Sequence, residues 1–480
     1  MSVFGIIAGT NHWVWAFYSK IVHSHRPTSP KESSCPLVVK LCFISAIRVV
    51  PMVTGTSFTA PETTRRLRVR AVLLRRAERM ETWQRNLYIL WITTFIMGAS
   101  MSLVIPFLPI YIQELGIHRL SNLERWSGIV FSATFMVSAF VQPLWGRLAD
   151  RVGRKFILIR SGAGMAVVMA AMGLAQNVWQ LFLLRGLLGA VAGFIVSATA
   201  LQATQTPPEH AGRALGTLQT GAVAGNLIGP FLGGVLADTI GIRHVFFLTG
   251  ILQILATIVV IFFVKEQFRP SPSASRMSDR EFLRKVRDTG IILPLFVVTM
   301  VIQMGYLSIE PIVTIYVRQL QPHSAHISTL AGATFAAIGL GNIISAPRLG
   351  RLADRIGAQK VLLASLVIAA FLYLPQAYVQ NAYQLMGLRL ILGLAVGGLL
   401  PSVQVLIQRY TPTFLQGRAF GFNSSFMFAG NLAGPLLGGF VSSLWRIETV
   451  FYVTSILFAF DALWLYYSLY RFRSRTWPAV

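Results

Sequence analysis

The chain has 480 residues, of which 54% are hydrophobic and 12% charged, and its formal net charge is +25. The mean hydropathy of +0.61 excludes a soluble protein that buries its apolar side chains in one core. Many apolar runs approach the ~20 residues that a bilayer crossing needs. The basic residues lie mainly between the apolar segments, as in cytoplasmic loops, so nucleic acid is not expected as a partner. Cys35 and Cys42 offer no disulfide framework or metal spacing to the apolar segments, and we expect no metal or cofactor.

Residues 1–79 differ from the sequence that follows them. Their apolar run at 37–53 is interrupted by Lys40 and Arg48. Charged residues inside a run are costly in the bilayer, so this run is a poor candidate for a membrane span. The arginine-rich end of this atypical basic extension would suit a membrane-surface helix or a targeting peptide. Met80 opens a stretch that is a natural start for a membrane protein, so a misassigned start codon is our preferred interpretation.

From residue 86 onward the sequence predicts an all-α polytopic membrane protein. Its twelve apolar segments are expected at about 87–112, 126–145, 156–174, 178–203, 214–236, 244–264, 291–317, 326–347, 361–379, 384–407, 419–443 and 449–470. An even number of crossings puts both ends on one side, and the basic loops put that side in the cytoplasm. The expected organisation is a six-helix half at 80–264, a cytoplasmic linker at 265–290, a second six-helix half at 291–470 and a cytoplasmic tail at 471–480.

The two halves repeat one another. The stretch GRLADRVGRK at 146–155 is nearly repeated as GRLADRIGAQK at 350–360, and Arg185 corresponds to Arg389 at an offset of 204. Transporters built from such repeats form their substrate site at the interface of the halves, near the bilayer midplane. The sequence therefore predicts transport by alternating access.

Two arginines and two carboxylates inside the predicted helices are candidates for coupling. Arg185 and Arg389 must face a cavity or a polar partner, because an arginine in lipid is costly. Proton exchange needs a group whose ionisation changes between wet and dry surroundings. The carboxylates that lie inside the predicted helices are Glu310 and Asp461. Glu310, beside Pro311, is the expected proton and cation site, with Asp461 in reserve. Either acid could instead be a structural group, and Arg389 is expected to be one.

The loop GRLADRVGRK between the second and third segments, together with GNLIGPFLGG in the fifth, resembles signatures of the major facilitator superfamily. The resemblance is to its twelve-helix drug:proton antiporters and covers about residues 83–470. It implies proton-driven export of amphipathic drugs or toxic metabolites, which is multidrug efflux by antiport. From the sequence as a whole we expect a multi-pass protein of the plasma (inner) membrane that acts as a monomer and is not an enzyme.

The resemblance assigns roles to individual residues. It implies a conformational latch at Gly146, Asp150, Arg151, Gly153 and Arg154, with a weaker second copy at Gly350, Asp354 and Arg355. It implies proton coupling for Arg185, and an exporter motif in the fifth helix at Gly225, Gly229, Pro230, Gly233 and Gly234. A loop that only anchors topology and a helix face that only packs would use many of the same residues. An anchor, however, has no need of the acid at position 150.

Other functions stay open at this point. A proton-coupled uptake carrier for a sugar or an organic acid would share the fold, but we would expect more polar cavity helices. A membrane sensor that keeps the fold without transport is a further alternative. A membrane-bound enzyme would need a nucleophile and base, a metal constellation or a phosphate-binding loop. The histidines of the membrane region, including His118, His323 and His326, fall mainly in connections.

Overall fold

The computed structural model describes residues 81–266, 291–411 and 415–471, apart from a few side chains. The predicted extension at 1–79, nearly all of the predicted linker and the tail beyond residue 471 lie outside the described residues. The side chain of Asp150 lies outside them as well. Twelve helices of the described part are long and apolar enough to cross a bilayer, which confirms the predicted number.

The first half contains helices α1 to α6. Their bounds are Thr82–Leu103 and Leu108–Glu114 for α1, Leu120–Val152 for α2, Arg154–Gly173 for α3, Val178–Val191 and Phe194–Gln205 for α4, Pro208–Ile240 for α5, and Ile242–Phe263 for α6. The break in α1 is a 3-10 turn that contains Pro106, because proline lacks the N–H that an α-helix interior needs. The break in α4 falls at Gly193, whose φ of 132° favours glycine.

The second half contains helices α7 to α12. Their bounds are Ile292–Ser308 and Glu310–Leu320 for α7, Ile327–Ile356 for α8, Ala358–Tyr373 with the 3-10 turn Leu374–Tyr378 for α9, Ala382–Val396 and Leu399–Tyr410 for α10, Gln416–Leu444 for α11, and Ile447–Arg471 for α12. Helix α7 breaks directly before Glu310 and Pro311. This position corresponds to the break in α1, so the repeat extends to helix geometry.

Individual hydrogen bonds follow the repeat as well. Tyr111 of α1 donates from Oη to a carbonyl at the end of α3 at 2.7 Å, and Tyr316 of α7 donates to one at the end of α9 at 3.1 Å. Asn177 and Asn381 cap α4 and α10, each accepting a backbone N–H at 2.9 Å. The two halves are therefore built by the same local interactions.

The halves meet through α2 against α11 and through α5 against α8. Arg125 of α2 donates from Nε to Ser443 Oγ of α11 at 2.9 Å. Asp238 of α5 accepts from the backbone N–H of Thr329 at 2.8 Å and from its hydroxyl at 2.7 Å. Thr329 lies in the first turn of α8, where the partial positive charge of a helix N-terminus favours a carboxylate. We call the end of the molecule that carries these contacts the closed face.

Helices α2 and α11 diverge toward the other end. A Cβ on Gly128 of α2 would lie 3.1 Å from Gly439 Cα of α11. Gly146 lies about five helical turns further on the same face of α2, and there no heavy atom of a neighbouring helix lies within 4 Å of the Cβ position in the described structure. Gly421, about five turns before Gly439, has the same free space among the described residues. The contact at one end of this helix pair is thus replaced by a gap at the other.

Helices α5 and α8 diverge in the same way. A Cβ on Gly234 would lie 2.7 Å from the carbonyl carbon of Ser328. Gly216, about five turns earlier on the same face of α5, has no such neighbour within 4 Å in the part of the chain that is described, and neither has Gly350 near the end of α8. The space between the halves is therefore sealed at the closed face and open at the opposite end, which we call the open face.

Candidate functional site

Charged side chains of three helices lie within electrostatic range of one another between the halves, without an ion pair within 4 Å among the described residues. Glu310 of α7 interacts electrostatically with Arg389 of α10 and with Arg185 of α4, so the acid faces an arginine of each half. Tyr306 and Tyr373 interact electrostatically with Arg389. We call these five residues the central cluster. It brings together three of the charged residues that the sequence singled out, including Arg389, for which a structural role was expected.

The break in α7 positions Glu310. The acid is in the first turn of the second segment of α7, followed by Pro311, and proline is tolerated there because this N–H has no intrahelical partner. The helix N-terminus also favours the carboxylate. One turn further, Thr314 donates from Oγ1 to the Pro106 carbonyl of α1 at 2.5 Å. Glu310 therefore lies one turn from a contact between the two halves.

Contacts between neighbouring helices position the two arginines. Thr134 of α2 donates to the Arg185 carbonyl at 3.0 Å, and the guanidinium carbon of Arg185 lies 5.3 Å from the centroid of the Phe131 ring. Ser345 of α8 donates to a backbone carbonyl of α10 at 3.3 Å. Arg185 and Arg389 are 6% and 4% exposed. The Nε of each is buried and has no hydrogen-bond partner among the described residues.

This arrangement can couple protonation to the relative position of the halves. Desolvation disfavours an ionised carboxylate, whereas a neighbouring cation favours it. The pair of Glu310 and Arg389 lies within the second half, but the interaction of Glu310 with Arg185 joins the two halves. A proton on Glu310 would remove that attraction. Conversely, a movement that separated Glu310 from Arg185 would favour uptake of the proton.

Asp461 lies apart from the central cluster. It is 0% exposed in α12, and neither of its carboxylate oxygens has a hydrogen-bond partner within the described part of the chain. Thr454, on the same face of α12, bonds Ser308 of α7 between hydroxyls at 2.9 Å. The carboxyl groups of Asp461 and Glu310 do not interact electrostatically. The two acids named from the sequence are therefore not parts of one site.

The glycine motif of α5 packs on two sides. Three glycines face α1, and the remaining glycine and the proline face α8: Gly225, Gly229 and Gly233 on one side, Gly234 and Pro230 on the other. A Cβ on Gly225 would lie 2.7 Å from the Ala99 backbone N, and one on Gly332 of α8 would lie 3.0 Å from the Pro230 carbonyl carbon. Only glycine permits such close approach of backbones. The motif thus binds α5 both to its own half and to the other half.

The loop between α2 and α3 makes its described contacts within the first half. Gly153 ends α2 with a φ of 96°, which favours glycine. Arg154 donates from its guanidinium to the Ala200 carbonyl of α4. The carboxylate of Glu266, just after α6, accepts the backbone N–H of Arg154 at 2.9 Å and that of Lys155 at 2.8 Å. Glu266 therefore caps α3 from the end of the first half.

The remaining predicted latch residues lie at the open face. Arg151, Asp354 and Arg355 are exposed there. No described heavy atom of a neighbouring helix lies within 4 Å of the Cβ positions of Gly146 and Gly350, because the halves are apart at this face. The latch itself stays a prediction.

Sequence reasoning missed Tyr306, Tyr373 and Glu266. The two tyrosines lie in apolar runs, and no local pattern marks them as partners of a distant arginine. Glu266 was readable as an acid directly after the sixth segment. Consecutive antiparallel helices would have placed it at the same membrane surface as the start of α3.

Residues 90–330 and 295–479 match the family model described as Major Facilitator Superfamily. The chain belongs to the major facilitator superfamily. It is 47% identical over 397 residues to the multidrug resistance protein MdtG of Enterobacter lignolyticus, covering 83% of this chain and 95% of that protein. Its identity to MdtG of Dickeya zeae is 46% over 393 residues, covering 82% and 96% of the two chains. The predicted family is thereby confirmed, together with the expectation of a membrane transporter rather than an enzyme.

Solved structures share the fold at low sequence identity. A bacterial homologue of the human lysosomal transporter Spinster, in an inward-facing and occupied conformation, superposes with a TM-score of 0.70 at 14% identity. It covers 83% of this chain and 100% of its own. The human organic anion transporter MFSD10 gives a TM-score of 0.60 at 17% identity, covering 80% and 100% of the two chains. These likenesses confirm the predicted all-α fold of twelve transmembrane helices.

Proposed function

We propose that this transporter exports amphipathic small molecules in exchange for protons, acting as a monomer, with the central cluster as its coupling site. The observation that carries the proposal is the electrostatic interaction of Glu310 with an arginine of each half. Export of drugs is supported by the MdtG relatives, which are named as multidrug resistance proteins. Their identity to this chain extends over most of both sequences.

In the proposed orientation the open face is cytoplasmic and the protein is a multi-pass protein of the bacterial inner membrane. The ends of α2 and α8 and the starts of α3 and α9 supply the basic residues Arg147, Arg151, Lys155, Arg351 and Lys360. Loops rich in arginine and lysine stay in the cytoplasm. The described structure then corresponds to an inward-facing state that can take up substrate from the cytoplasm.

The glycine spacing supports alternating access. Gly146 of α2 and Gly421 of α11 repeat, about five turns away, the relation of Gly128 to Gly439 at the closed face. Rocking the halves would bring α2 and α11 together at Gly146 and Gly421 and separate them at Gly128 and Gly439. The latch predicted around Gly146 would then act in the outward-facing state.

The decisive experiment is transport in proteoliposomes under an imposed pH gradient, using a panel of cationic, neutral and anionic amphipathic compounds. Glu310→Gln keeps the shape of the side chain and removes its ionisation. We expect the variant to bind a transported compound but to lose acceleration of transport by the gradient. Glu209→Gln is the matched control, because Glu209 is an exposed acid in the first turn of α5.

Two results would contradict the proposal at different points. If Glu310→Gln keeps its full gradient dependence, the central cluster is not the coupling site. If the wild-type protein moves no compound of the panel in response to the gradient, proton-driven export itself is wrong.

A further inference from the structure

A second acidic site lies at the closed face, away from the central cluster. A cavity of about 580 Å³ is lined there by the start of α2, the end of α7, the end of α11 and the start of α12. Glu124 of α2 and Glu448 of α12 both line it. The two carboxylates come from different halves and interact electrostatically as like charges. The cavity therefore places a repulsive pair across the interface that closes.

Glu124 is buried without a partner. It is 3% exposed, and within the described residues its carboxylate has neither a hydrogen bond nor an ion pair. The backbone at this position is in close contact with the other half, because a Cβ on Gly439 of α11 would lie 2.7 Å from the Glu124 carbonyl oxygen. With this face closed, the Glu124 carboxyl therefore lies against the other half, in the same cavity as Glu448.

The surrounding charges do not neutralise Glu124. Arg446 pairs with Glu448 at 3.0 Å, and its own side chain is 80% exposed. Arg125 donates to Ser443 instead. Arg119 also lines the cavity but is exposed, and α7 contributes the uncharged Gln319. Glu124 is thus a largely buried carboxyl at the interface of the halves that has no cation paired with it in the described structure.

We propose that Glu124, with Glu448 opposite, forms a proton-binding site that controls closure of this face. An ionised Glu124 opposes closure, because desolvation and a like charge both disfavour the carboxylate. A protonated Glu124 removes both obstacles and can donate a hydrogen bond within the cavity. Protons on this side of the membrane therefore promote closure here and opening at the other face.

The direction of the pH effect follows from linkage. The closed state binds the proton on Glu124 more tightly than the open state, so lowering the pH raises the ratio of closed to open molecules. One linked proton can change that ratio by at most about tenfold per pH unit. This site adds to the proposed transport function without resting on it, because closure can be measured with no substrate present.

The experiment measures the distance between spin labels on the full-length protein in lipid nanodiscs. Labels at Leu174→Cys and Tyr383→Cys report on the two halves at the closed face, since both side chains are exposed, at 66% and 60%. The native Cys35 and Cys42 are replaced by serine. All measurements are made in the Glu310→Gln background, so that titration of the central cluster cannot contribute.

In that background we expect the closed fraction to rise as the pH falls, by about threefold to tenfold per pH unit. Adding Glu124→Gln should abolish the pH dependence and hold the face closed. Glu448→Gln, which removes the repulsion together with the exposed ion pair to Arg446, should weaken the pH dependence. The control Glu114→Gln removes an exposed acid of the same face outside the cavity and should change nothing.

Two results would overturn the proposal. One is a closed fraction that does not respond to pH in the Glu310→Gln background. The other is a pH response that persists undiminished in both the Glu124→Gln and Glu448→Gln proteins. Neither result bears on whether Glu310 drives export, which the transport assay tests separately.

Discussion

Substitution of Gly234 by alanine is expected to open the closed face. The added Cβ would lie 2.7 Å from the Ser328 carbonyl carbon and 2.9 Å from Thr329 Cα. Both are backbone atoms of α8 and cannot rotate away, so α5 and α8 must separate. Overpacking of this kind costs about 1–3 kcal/mol, which lowers the ratio of closed to open molecules by about 5-fold to 150-fold. The greater helix propensity of alanine applies to both conformations and cancels.

The spin labels at Leu174→Cys and Tyr383→Cys measure this shift at constant pH. Gly216→Ala is the matched control, since it makes the same change on the same face of α5 where no neighbouring heavy atom lies within 4 Å in the described structure. If Gly216 packs only in the alternate state, this control should favour closure rather than opening. An unchanged distance distribution in Gly234→Ala, or opening of the same face by both substitutions, would contradict overpacking between α5 and α8 as the cause.

Two further predictions concern acids outside the central cluster. Glu266→Ala should lower the unfolding temperature, because α3 loses a cap worth about 0.5–2 kcal/mol. Thermal unfolding in detergent measures this, with the exposed-site substitution Glu209→Ala as the control. Equal unfolding temperatures of the two variants would contradict the prediction. Asp461→Leu should raise the unfolding temperature, since it removes a buried carboxyl without a hydrogen-bond partner in the described structure, a defect worth about 1–3 kcal/mol. Gradient-driven transport should survive this change, and its loss would instead make Asp461 part of the proton path.

The transmembrane helices were predictable because hydropathy and length are local properties. The ends of the helices were less predictable, and the error at the start of the second helix affected the search for the site. The second segment was expected at about residue 126, whereas α2 begins at Leu120. The first turns of α2 contain polar residues, as is usual where a helix leaves the bilayer. The apolar run therefore begins later than the helix does. Glu124 was therefore excluded from the search for acids inside the helices.

The site was predictable only where a single charged residue lies within an apolar run. Arg185, Glu310, Arg389 and Asp461 were found because a charge within an apolar run is costly. Sequence could not tell that Arg389 joins Glu310 whereas Asp461 does not. Those relations depend on how α7 packs against its neighbours, and residues so far apart in sequence carry no mark of their pairing.

The repeat makes the two halves alike in backbone, but their charged residues differ. Within the central cluster, Glu310 and Arg389 belong to the same half, so their interaction changes little when the halves move as rigid bodies. Arg185 belongs to the other half, and only its interaction with Glu310 depends on rocking. The acid at the closed face follows the same logic, because Glu124 and Glu448 also belong to different halves. One pair attracts and the other repels, so a proton on Glu310 weakens the link between the halves while a proton on Glu124 strengthens it.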